Sequence, residues 1–180
     1  MSVTIRAPRP DEYAALGEIT VAAYVAVGAL AGDEAYADEL RDVAGRVAAA
    51  TVLVAAGPED DRPLGCVTYV PGPESSLAEG LSPGQAAIRM LAVDPAEGGR
   101  GAGTALATAC VDLARAQGRT AIVLHSLPVM AVAQRIYLRL GFRHVRERDW
   151  RPLEDPDFVL SCFVLDLATR TRPSGPRPDR

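Results

Sequence analysis

The chain has 180 residues, of which 48% are hydrophobic and 23% charged, and its formal net charge is −4. This length suits one domain with its own core, and no apolar run reaches the roughly 18 residues that a membrane span needs, so no membrane association is expected. The acidic charge disfavours nucleic acid as the main partner. Because Arg6 and Arg9 interrupt any apolar leader, a cytoplasmic location is expected.

The cysteines and histidines give no basis for a metal site. Cys66, Cys110 and Cys162 each lie within an apolar run, and none has Cys-x-x-Cys spacing, so all three are predicted to be buried hydrophobic residues. The chain has only two histidines, without paired ligand spacing. We therefore expect no bound metal.

The first half of the chain predicts a strand, two helices and a hairpin. Residues 3–6 form the strand, and a helix follows Pro10. The buried face of this helix would carry Leu16, Ile19, Thr20, Ala23 and Val27. A second helix, from about Asp33, would bury Leu40, Val43, Ala44 and Val47. Residues 51–56 and 64–70 would pair as a hairpin, and the Pro-, Gly- and Ser-rich residues 71–84 would form a loop.

The second half alternates strands and helices and ends in a polar tail. A strand ends at Val93, a glycine-rich turn follows, and the next helix ends at Gly118. After an apolar strand at 121–124, a helix would run from Pro128 through Leu140. Two more strands are predicted at 142–150 and 158–167. The Pro- and Arg-rich residues 169–180 have almost nothing apolar to bury, so we expect a single domain at 1–168 and a disordered tail.

The turn after Val93 has the composition of a phosphate-binding loop. Gly98, Gly99, Gly101 and Gly103 precede or open a helix, whose first N–H groups have no partner within the helix and carry a partial positive charge. Glycines let a phosphate approach those N–H groups without a Cβ in the way. A plain connection needs one or two glycines, so phosphate binding is the favoured interpretation.

Two common phosphate motifs do not fit this turn. A Walker-type loop requires a lysine, and all 19 residues in the Lys plus Arg count are arginine. The dinucleotide pattern G-x-G-x-x-G places Thr104 or Leu106 where glycine or alanine is needed. A nucleoside triphosphatase is thus excluded, and a nicotinamide or flavin cofactor is disfavoured.

The segment from Val93-Asp94-Pro95 through Gly103 resembles the acetyl-coenzyme A loop of the GNAT N-acetyltransferase superfamily, Gln/Arg-x-x-Gly-x-Gly/Ala. Residues 130–142 resemble that family's helix Asn-x-x-Ala-x-x-Leu-Tyr-x-x-Leu-Gly-Phe. Three departures are visible: Gly98 stands in place of Arg or Gln, Met130 in place of Asn, and Ala87 near the place where many relatives have a Glu. Arg100 is a candidate for supplying the missing charge of the loop.

The resemblance spans about residues 3–167 and implies a fold. The predicted order β-α-α-β-β-β-α-β-α-β-β matches the family's order. It implies an α/β fold with a mixed, mostly antiparallel seven-stranded sheet and about four helices, in which a central parallel pair, the strands ending at Val93 and His125, splays apart. The pantetheine arm of the cofactor would lie in the opening.

The resemblance also implies the cofactor contacts. The strand would hydrogen-bond the acyl and pantetheine amides through its backbone, with the Leu91 N–H as the candidate oxyanion donor. The remaining contacts would come from the loop and the first helical turn. The candidate cofactor-binding residues are Leu91, Ala92, Val93, Gly98, Gly99, Arg100, Gly101, Ala102, Gly103, Thr104 and Ala105.

By the same match, Tyr137 corresponds to the tyrosine that protonates the departing coenzyme A thiolate. A phenol with a pKa of about 10 keeps its proton at neutral pH, yet its pKa is close enough to that of a thiol for transfer. The alternative is that Tyr137 only packs on its helix.

The second chemical requirement is a neutral amine, because an ammonium group cannot attack a thioester. His125 is the first candidate base, since it ends the strand that flanks the opening and its ordinary pKa is about 6.5. It would otherwise be a hydrogen-bonded residue at a strand end. Glu147 and Asp149 are the second candidates. Asp33, Glu34, Asp38 and Glu39 either steer a cationic acceptor or form a solvated helix face.

These observations predict an acetyl-coenzyme A-dependent N-acetyltransferase that acts on a primary amine of a small molecule by direct attack in a ternary complex. One alternative is acetylation of a protein N-terminus or lysine, and another is a non-catalytic acyl-coenzyme A sensor. The oligomeric state is open, a homodimer included.

Overall fold

The computed structural model describes residues 3–30, 33–151 and 159–168. Within these residues the chain forms seven strands and five α-helices, with short 3-10 turns between some of them. The elements are β1 (Thr4–Arg6), α1 (Tyr13–Ala26), α2 (Glu34–Arg41), α3 (Val43–Ala49), β2 (Thr51–Ala56), β3 (Pro63–Val70), β4 (Gln85–Val93), α4 (Ala102–Ala116), β5 (Ala121–Ser126), α5 (Ala131–Arg139), β6 (Arg143–His144) and β7 (Ser161–Asp166).

The strands form one mixed sheet in the order β1-β2-β3-β4-β5-β7-β6. Neighbouring strands are antiparallel except β4 and β5, which are parallel. The predicted fold class, a mostly antiparallel seven-stranded sheet with a central parallel pair, is therefore confirmed.

Helices cover both faces of the sheet. The buried residues of α4, including Leu106 and Cys110, pack with Ile88 of β4 and Leu124 of β5 in the largest apolar cluster. Two smaller clusters hold α1, α2 and α3 against the opposite face. The sheet is thus buried between two layers, which is why its central strands have near-continuous apolar sequences.

The parallel pair separates as predicted. β4 and β5 pair only through residues 85–87 and 121–123. Beyond this point β5 continues its pairing with β7, whereas residues 88–93 of β4 have no β5 partner within the described chain. Alternate backbone groups of a strand point toward opposite neighbours, so β4 presents free N–H and C=O groups to the opening.

A bulge in β4 accompanies this separation. The pairing with β3 shifts between Cys66↔Ala92 and Thr68↔Arg89, which leaves an extra residue on β4. Met90 has a φ of +51°, so it adopts the left-handed conformation that β-bulges use. The bulge changes which side chains of the strand point to each face of the sheet. As a result, Met90 packs in the apolar cluster of α1 and α2 rather than in that of α4.

The N-terminal helices differ from the prediction in two ways. The predicted second helix is broken into α2 and α3 because the Asp42 carboxylate accepts a hydrogen bond from the Gly45 N–H at 2.8 Å and caps a new helix. On α1 the buried face is shifted toward Val21 and Tyr24, while Val27 is 41% exposed at the helix end.

The C-terminal prediction is corrected more extensively. Helix α5 begins at Ala131 rather than at Pro128. The long strand predicted at 142–150 is only two residues of β6, because the backbone then turns into a 3-10 helix at Arg146–Arg148 and pairs again only at a Trp150↔Leu160 bridge. The predicted start of the last strand at Phe158 and the tail at 169–180 lie outside the described residues.

The cysteines are free and buried, as predicted. Burial raises the pKa of Cys110 to about 12 and also raises the pKa of Cys162. In the described part of the chain, no cluster of three or more His, Cys, Asp or Glu residues could hold a metal ion, and none of the helices is long and apolar enough to cross a membrane.

Candidate active site

The glycine-rich turn connects β4 to α4 through a 3-10 turn at Pro95–Glu97. Gly99 and Gly101 both have a φ of +82°, in the left-handed region that glycine adopts at little cost, and Gly101 is the N-cap of α4. A Cβ added at either residue would point into open space. The turn therefore exposes its backbone to solvent at the start of the helix.

The first turn of α4 has free backbone donors. The Ala105 N–H already donates to the Gly101 carbonyl at 2.9 Å. The N–H groups of Ala102, Gly103 and Thr104 have no backbone acceptor in the described chain. Together with the helix dipole, these three donors form a site for a phosphate oxygen.

Gly103 has a packing role in addition. A Cβ on this residue would lie 3.2 Å from Cδ1 of Ile136 on α5 and 3.6 Å from Cγ2 of Val93 on β4. The missing side chain thus lets the start of α4 approach both β4 and α5 closely.

Two guanidinium groups share one carboxylate beside the loop. Glu97 Oε1 lies 2.6 Å from Nη2 of Arg62, and Glu97 Oε2 lies 2.9 Å from Nη1 of Arg100. Arg100, the candidate for a positive charge at the phosphate, is therefore held by Glu97. Gly98 has an ordinary backbone conformation with φ −57° and ψ 150°.

A cavity of about 830 Å³ lies beside the opening between β4 and β5. Its floor includes residues 87–90 of β4 and 123–125 of β5. Tyr24 of α1 and Tyr36 of α2 form one wall, the loop with Leu77 and Glu79 forms a second, and residues 147–150 form a third. The size and mixed lining are those of a small-molecule pocket.

Arg89 holds the loop against this cavity. Its Nη1 donates to the Leu77 carbonyl and to Glu79 Oε1, both at 3.0 Å, and its Nη2 lies 4.0 Å from Glu39 Oε1. The loop at 71–84 has no helix or strand, as predicted, but it has a defined position over the cavity.

The cavity lining includes His125. Although its side chain is exposed at the cavity surface, partial desolvation lowers its pKa below the usual value, and the positive charge of Arg148 lowers it further. Glu79 and Asp149 oppose this effect and Arg89 adds to it. A neutral imidazole at neutral pH can accept a proton.

The other two candidate bases differ from each other. Asp149 accepts a hydrogen bond from the Cys162 N–H at 2.8 Å and contacts His144 Nε2 at 2.9 Å. Although burial acts in the opposite direction, these contacts lower the pKa of Asp149, which remains an ionised structural group. Glu147 lines the cavity and has no ion pair with any residue that the structure describes.

Tyr137 lies on α5 beside the helix start of α4, next to the Ile136 that contacts Gly103. Its ring packs against Phe142 and Phe163, with centroid separations of 5.7 and 6.4 Å. Burial raises the pKa of Tyr137, so the phenol keeps its proton. The ring is buried. Some buried polar atoms of the described residues lack a hydrogen-bond partner, but the Tyr137 hydroxyl is not one of them.

Several cavity residues were not predicted from the sequence. Tyr24, Tyr36 and Arg148 come from separate parts of the chain, and none belongs to a motif. Only the sheet brings them together. The helical period could have placed Tyr24 on the buried face, because it follows Thr20 by about one turn and Leu16 by about two.

Comparison with known proteins identifies the family. Residues 14–142 match the model of the Acetyltransferase (GNAT) family. The chain belongs to the GNAT acetyltransferase family, and this membership implies acyltransferase activity. Among curated protein sequences, none matches it.

Solved structures show the same fold at low sequence identity. A GNAT-family protein from Desulfovibrio desulfuricans has a TM-score of 0.71 and 20% identity over 93% of this chain and 100% of its own. A GCN5-related N-acetyltransferase from Kribbella flavida has a TM-score of 0.65 and 20% identity, covering 92% and 98%. The protein yncA from Salmonella typhimurium, solved with its cofactor acetyl-CoA, has a TM-score of 0.65 and 20% identity, covering 99% of both chains.

Proposed function

We propose that this protein is an N-acetyltransferase that moves the acetyl group of acetyl-coenzyme A to a primary amine of a small molecule. The observation that carries the proposal is the opening between β4 and β5, where residues 88–93 of β4 have no β5 partner among the described residues. At one end β4 leads to the free N–H groups at the start of α4, and residues 87–90 line the cavity that contains His125. A long cofactor bound at the helix start would reach the cavity only along such an opening.

The residues present fit acetyl-coenzyme A. The free N–H groups of Ala102, Gly103 and Thr104, with the exposed turn at Gly98, Gly99 and Gly101, suit a pyrophosphate. The free edge of β4 at Leu91, Ala92 and Val93 suits the amides of a pantetheine arm. Arg100 would contribute only if it exchanged Glu97 for the phosphate, and the N–H of Ala105 is already bonded within the helix.

The proposed chemistry divides between two side chains. The bound cofactor supplies an acetyl thioester, and His125 accepts a proton from the acceptor, directly or through water, so that the amine nitrogen becomes nucleophilic. Tyr137 holds its proton until a thiolate is released. The lowered pKa of His125 leaves its imidazole neutral and able to accept that proton. The raised pKa of Tyr137 keeps its phenol protonated at neutral pH and also makes it a weaker acid than a solvated phenol.

Direct attack by the amine is favoured over a covalent acyl-enzyme. Cys66, Cys110 and Cys162 are buried, and burial raises the pKa of Cys110 and of Cys162. A buried thiol of high pKa is a poor nucleophile, because the thiolate is the reactive form.

The loop at 71–84 favours a small acceptor over a protein. It supplies Leu77, Glu79 and Leu81 to the cavity wall and is fixed there by Arg89. A protein N-terminus or a lysine side chain would need an open groove on this side.

Tyr137→Phe tests the proposal. Thiol release from acetyl-coenzyme A in the presence of a panel of amines should show a kcat at least about 100-fold below that of the wild type. Acetyl-coenzyme A binding, measured by calorimetry, should be nearly unchanged. Tyr13→Phe is the matched control, because Tyr13 packs in the cluster of α1 and α3 on the other side of the sheet from α4.

A specific result would contradict enzyme activity. If the wild type binds acetyl-coenzyme A tightly but none of the amines in the panel causes thiol release, the protein is a non-catalytic acyl-coenzyme A-binding module. If Tyr137→Phe retains full kcat, the assignment of the acid is wrong.

A further inference from the structure

Most charged groups that line the cavity already have a partner within the protein. Arg89 pairs with Glu79 at 3.0 Å. Asp149 contacts His144 Nε2 at 2.9 Å and accepts a hydrogen bond from the Cys162 N–H at 2.8 Å. Side chains that are engaged in this way are less available to a ligand.

Two charged residues of the lining are exceptions, and they have opposite signs. Neither Glu147 nor Arg148 has a side-chain ion pair among the residues that the structure describes. They are neighbours in the 3-10 turn at Arg146–Arg148, where Glu147 is exposed and Arg148 is half-buried. An unpaired guanidinium that is partly removed from water favours an anionic ligand group.

Arg148 also lies close enough to His125 to affect its charge state. Its positive charge is the largest electrostatic influence on His125 after desolvation. An anionic group bound to Arg148 would therefore lie near the imidazole that is proposed to accept the amine proton.

The rest of the lining is largely apolar. Tyr24, Tyr36 and Trp150 present aromatic rings, and Leu77 and Leu81 present aliphatic side chains. A polyamine or an amino sugar would leave these groups without apolar contacts and would leave the Arg148 guanidinium without an anionic partner.

We propose that the acceptor is a zwitterion, an α-amino acid or close analogue with an apolar side chain. Its carboxylate binds Arg148, its amine faces His125 and Glu147, and its side chain contacts the tyrosines. The inference rests on the proposed N-acetyltransferase function and names the substrate class of the same site.

The reaction is balanced for such an acceptor. The ammonium group first loses one proton toward His125, and the amine nitrogen then forms a bond to the acetyl carbon while the bond from that carbon to sulfur breaks. The nitrogen loses a second proton as the amide forms, and the sulfur gains one from Tyr137. The second proton from the nitrogen returns to the Tyr137 phenolate through water, and His125 releases the first proton to solvent. The products are an N-acetyl amino acid, free coenzyme A and one proton released to solvent.

Matched substrates isolate the carboxylate. Each amino acid of an apolar panel, such as L-leucine, L-methionine and L-phenylalanine, is compared with its α-amide, which keeps the shape and the amine but lacks the negative charge. We expect kcat/KM of the wild type to be at least about tenfold higher for the acids, chiefly through KM.

Variants of the turn then identify the group responsible. Arg148→Gln should reduce the preference for the acid to about twofold or less, and Arg148→Lys should restore part of it. All proteins are assayed at a pH well above their His125 inflection, so that the effect of Arg148 on the His125 pKa does not enter the comparison. Arg146→Gln is the matched control, because Arg146 lies in the same turn but does not line the cavity. Thermal unfolding shows that each variant is folded.

The outcomes separate this inference from the proposed function. Equal or better turnover of amides, or of amines without a carboxylate such as phenethylamine and spermidine, overturns the amino acid assignment and leaves the proposed acetyltransferase activity standing. A preference for the acids that survives in Arg148→Gln overturns the role of Arg148. Acetyl-coenzyme A binding without turnover of any compound overturns both.

Discussion

His125 has an imidazole whose charge is controlled by side chains from several elements. Partial desolvation and Arg148 disfavour the imidazolium, and Arg89 adds to this effect, whereas Glu79 and Asp149 oppose it. The net result is a pKa below the ordinary value of 6.5. His125 therefore stays neutral over most of the physiological range and gains a proton only in mild acid.

A pH profile of kcat tests this role. At saturating amine, the wild type should lose activity as the pH falls through the His125 pKa, with an inflection below 6.5. His125→Gln should lower kcat at neutral pH by about tenfold to 100-fold and remove the inflection. Arg148→Gln should move it upward, because losing a nearby cation favours the imidazolium. An inflection that persists in His125→Gln would assign it to another group.

Gly98 is a position of the glycine-rich turn where an arginine can replace glycine without backbone strain. Its φ is −57°, and an added Cβ would come no closer than 3.7 Å, to the Pro95 carbonyl oxygen. We expect Gly98→Arg to lower the dissociation constant of acetyl-coenzyme A by about threefold to tenfold. Calorimetric titration measures this change.

Gly99→Arg is the comparison for that experiment. It adds the same charge one residue later, where φ is +82°, and so strains the loop. Tighter binding by Gly99→Arg than by Gly98→Arg would contradict the role of backbone conformation at this site.

At the scale of elements, the start of α4 is positioned by close contact with β4 and α5. A Cβ at Gly103 would lie 3.2 Å from Ile136 Cδ1, which is tighter than ordinary contact, and 3.6 Å from Val93 Cγ2, so the added Cγ atoms of a β-branched side chain would require these neighbours to shift. We expect Gly103→Val to lower the free energy of unfolding by about 1–3 kcal/mol and to weaken acetyl-coenzyme A binding. Urea denaturation measures the first effect and calorimetry the second. Thr104→Val is the control at an exposed position of the same turn, and equal stability of the two variants would contradict the packing argument.

The individual elements also show which structural features can be predicted from the sequence. The glycine turn and α4 were predictable because their signals are local: four glycines, a free helix start and an apolar face. The break at Asp42 was missed because a side-chain cap competes with a continuous apolar pattern. The bulge at Met90 was missed because register depends on the partner strand.

The cavity was predictable only in part, for a related reason. His125 was expected to flank the opening between β4 and β5, and it lines the cavity. Arg148 was not singled out, because the sequence of its turn resembles a strand and its distance from Tyr24 along the chain hides their proximity in the fold. A pocket of this kind depends on the sheet order, which no local pattern contains.

At the scale of the whole molecule, a partly buried ion network connects the edge strand β1 to the loop between β2 and β3. Arg6 donates to Glu12 Oε1 at 2.6 Å and to Asp61 Oδ1 at 2.9 Å, and Arg9 also pairs with Asp61. The hydrogen bond from Arg6 lowers the pKa of Glu12 against the opposing effect of burial. Ionised Glu12 thus stabilises the folded chain above its ordinary pKa of 4.5, and this contribution is lost as the pH falls through the lowered value.

Glu12→Gln tests this contribution. At neutral pH it should lower the free energy of unfolding by about 2 kcal/mol, because a charged hydrogen bond is lost from a site with little solvent access. The difference from the wild type should shrink as the pH falls from 4.5, where Glu12 of the unfolded chain becomes protonated, to the lowered value, where Glu12 of the folded chain does so. Glu18→Gln is the control, since its pair with Arg41 at 3.1 Å is exposed and should contribute less than about 1 kcal/mol. Urea denaturation at several pH values distinguishes the two, and equal losses would contradict the argument.

The junction between the two halves of the sheet has a consequence for the stability of the chain. Only residues 85–87 and 121–123 join β4 to β5. A ligand bound in the opening would therefore add contacts between the two halves of the sheet. The unfolded chain has no comparable site for this ligand. The melting temperature should therefore rise with the concentration of acetyl-coenzyme A by mass action. In a cell, the lifetime of this protein would follow the supply of its cofactor.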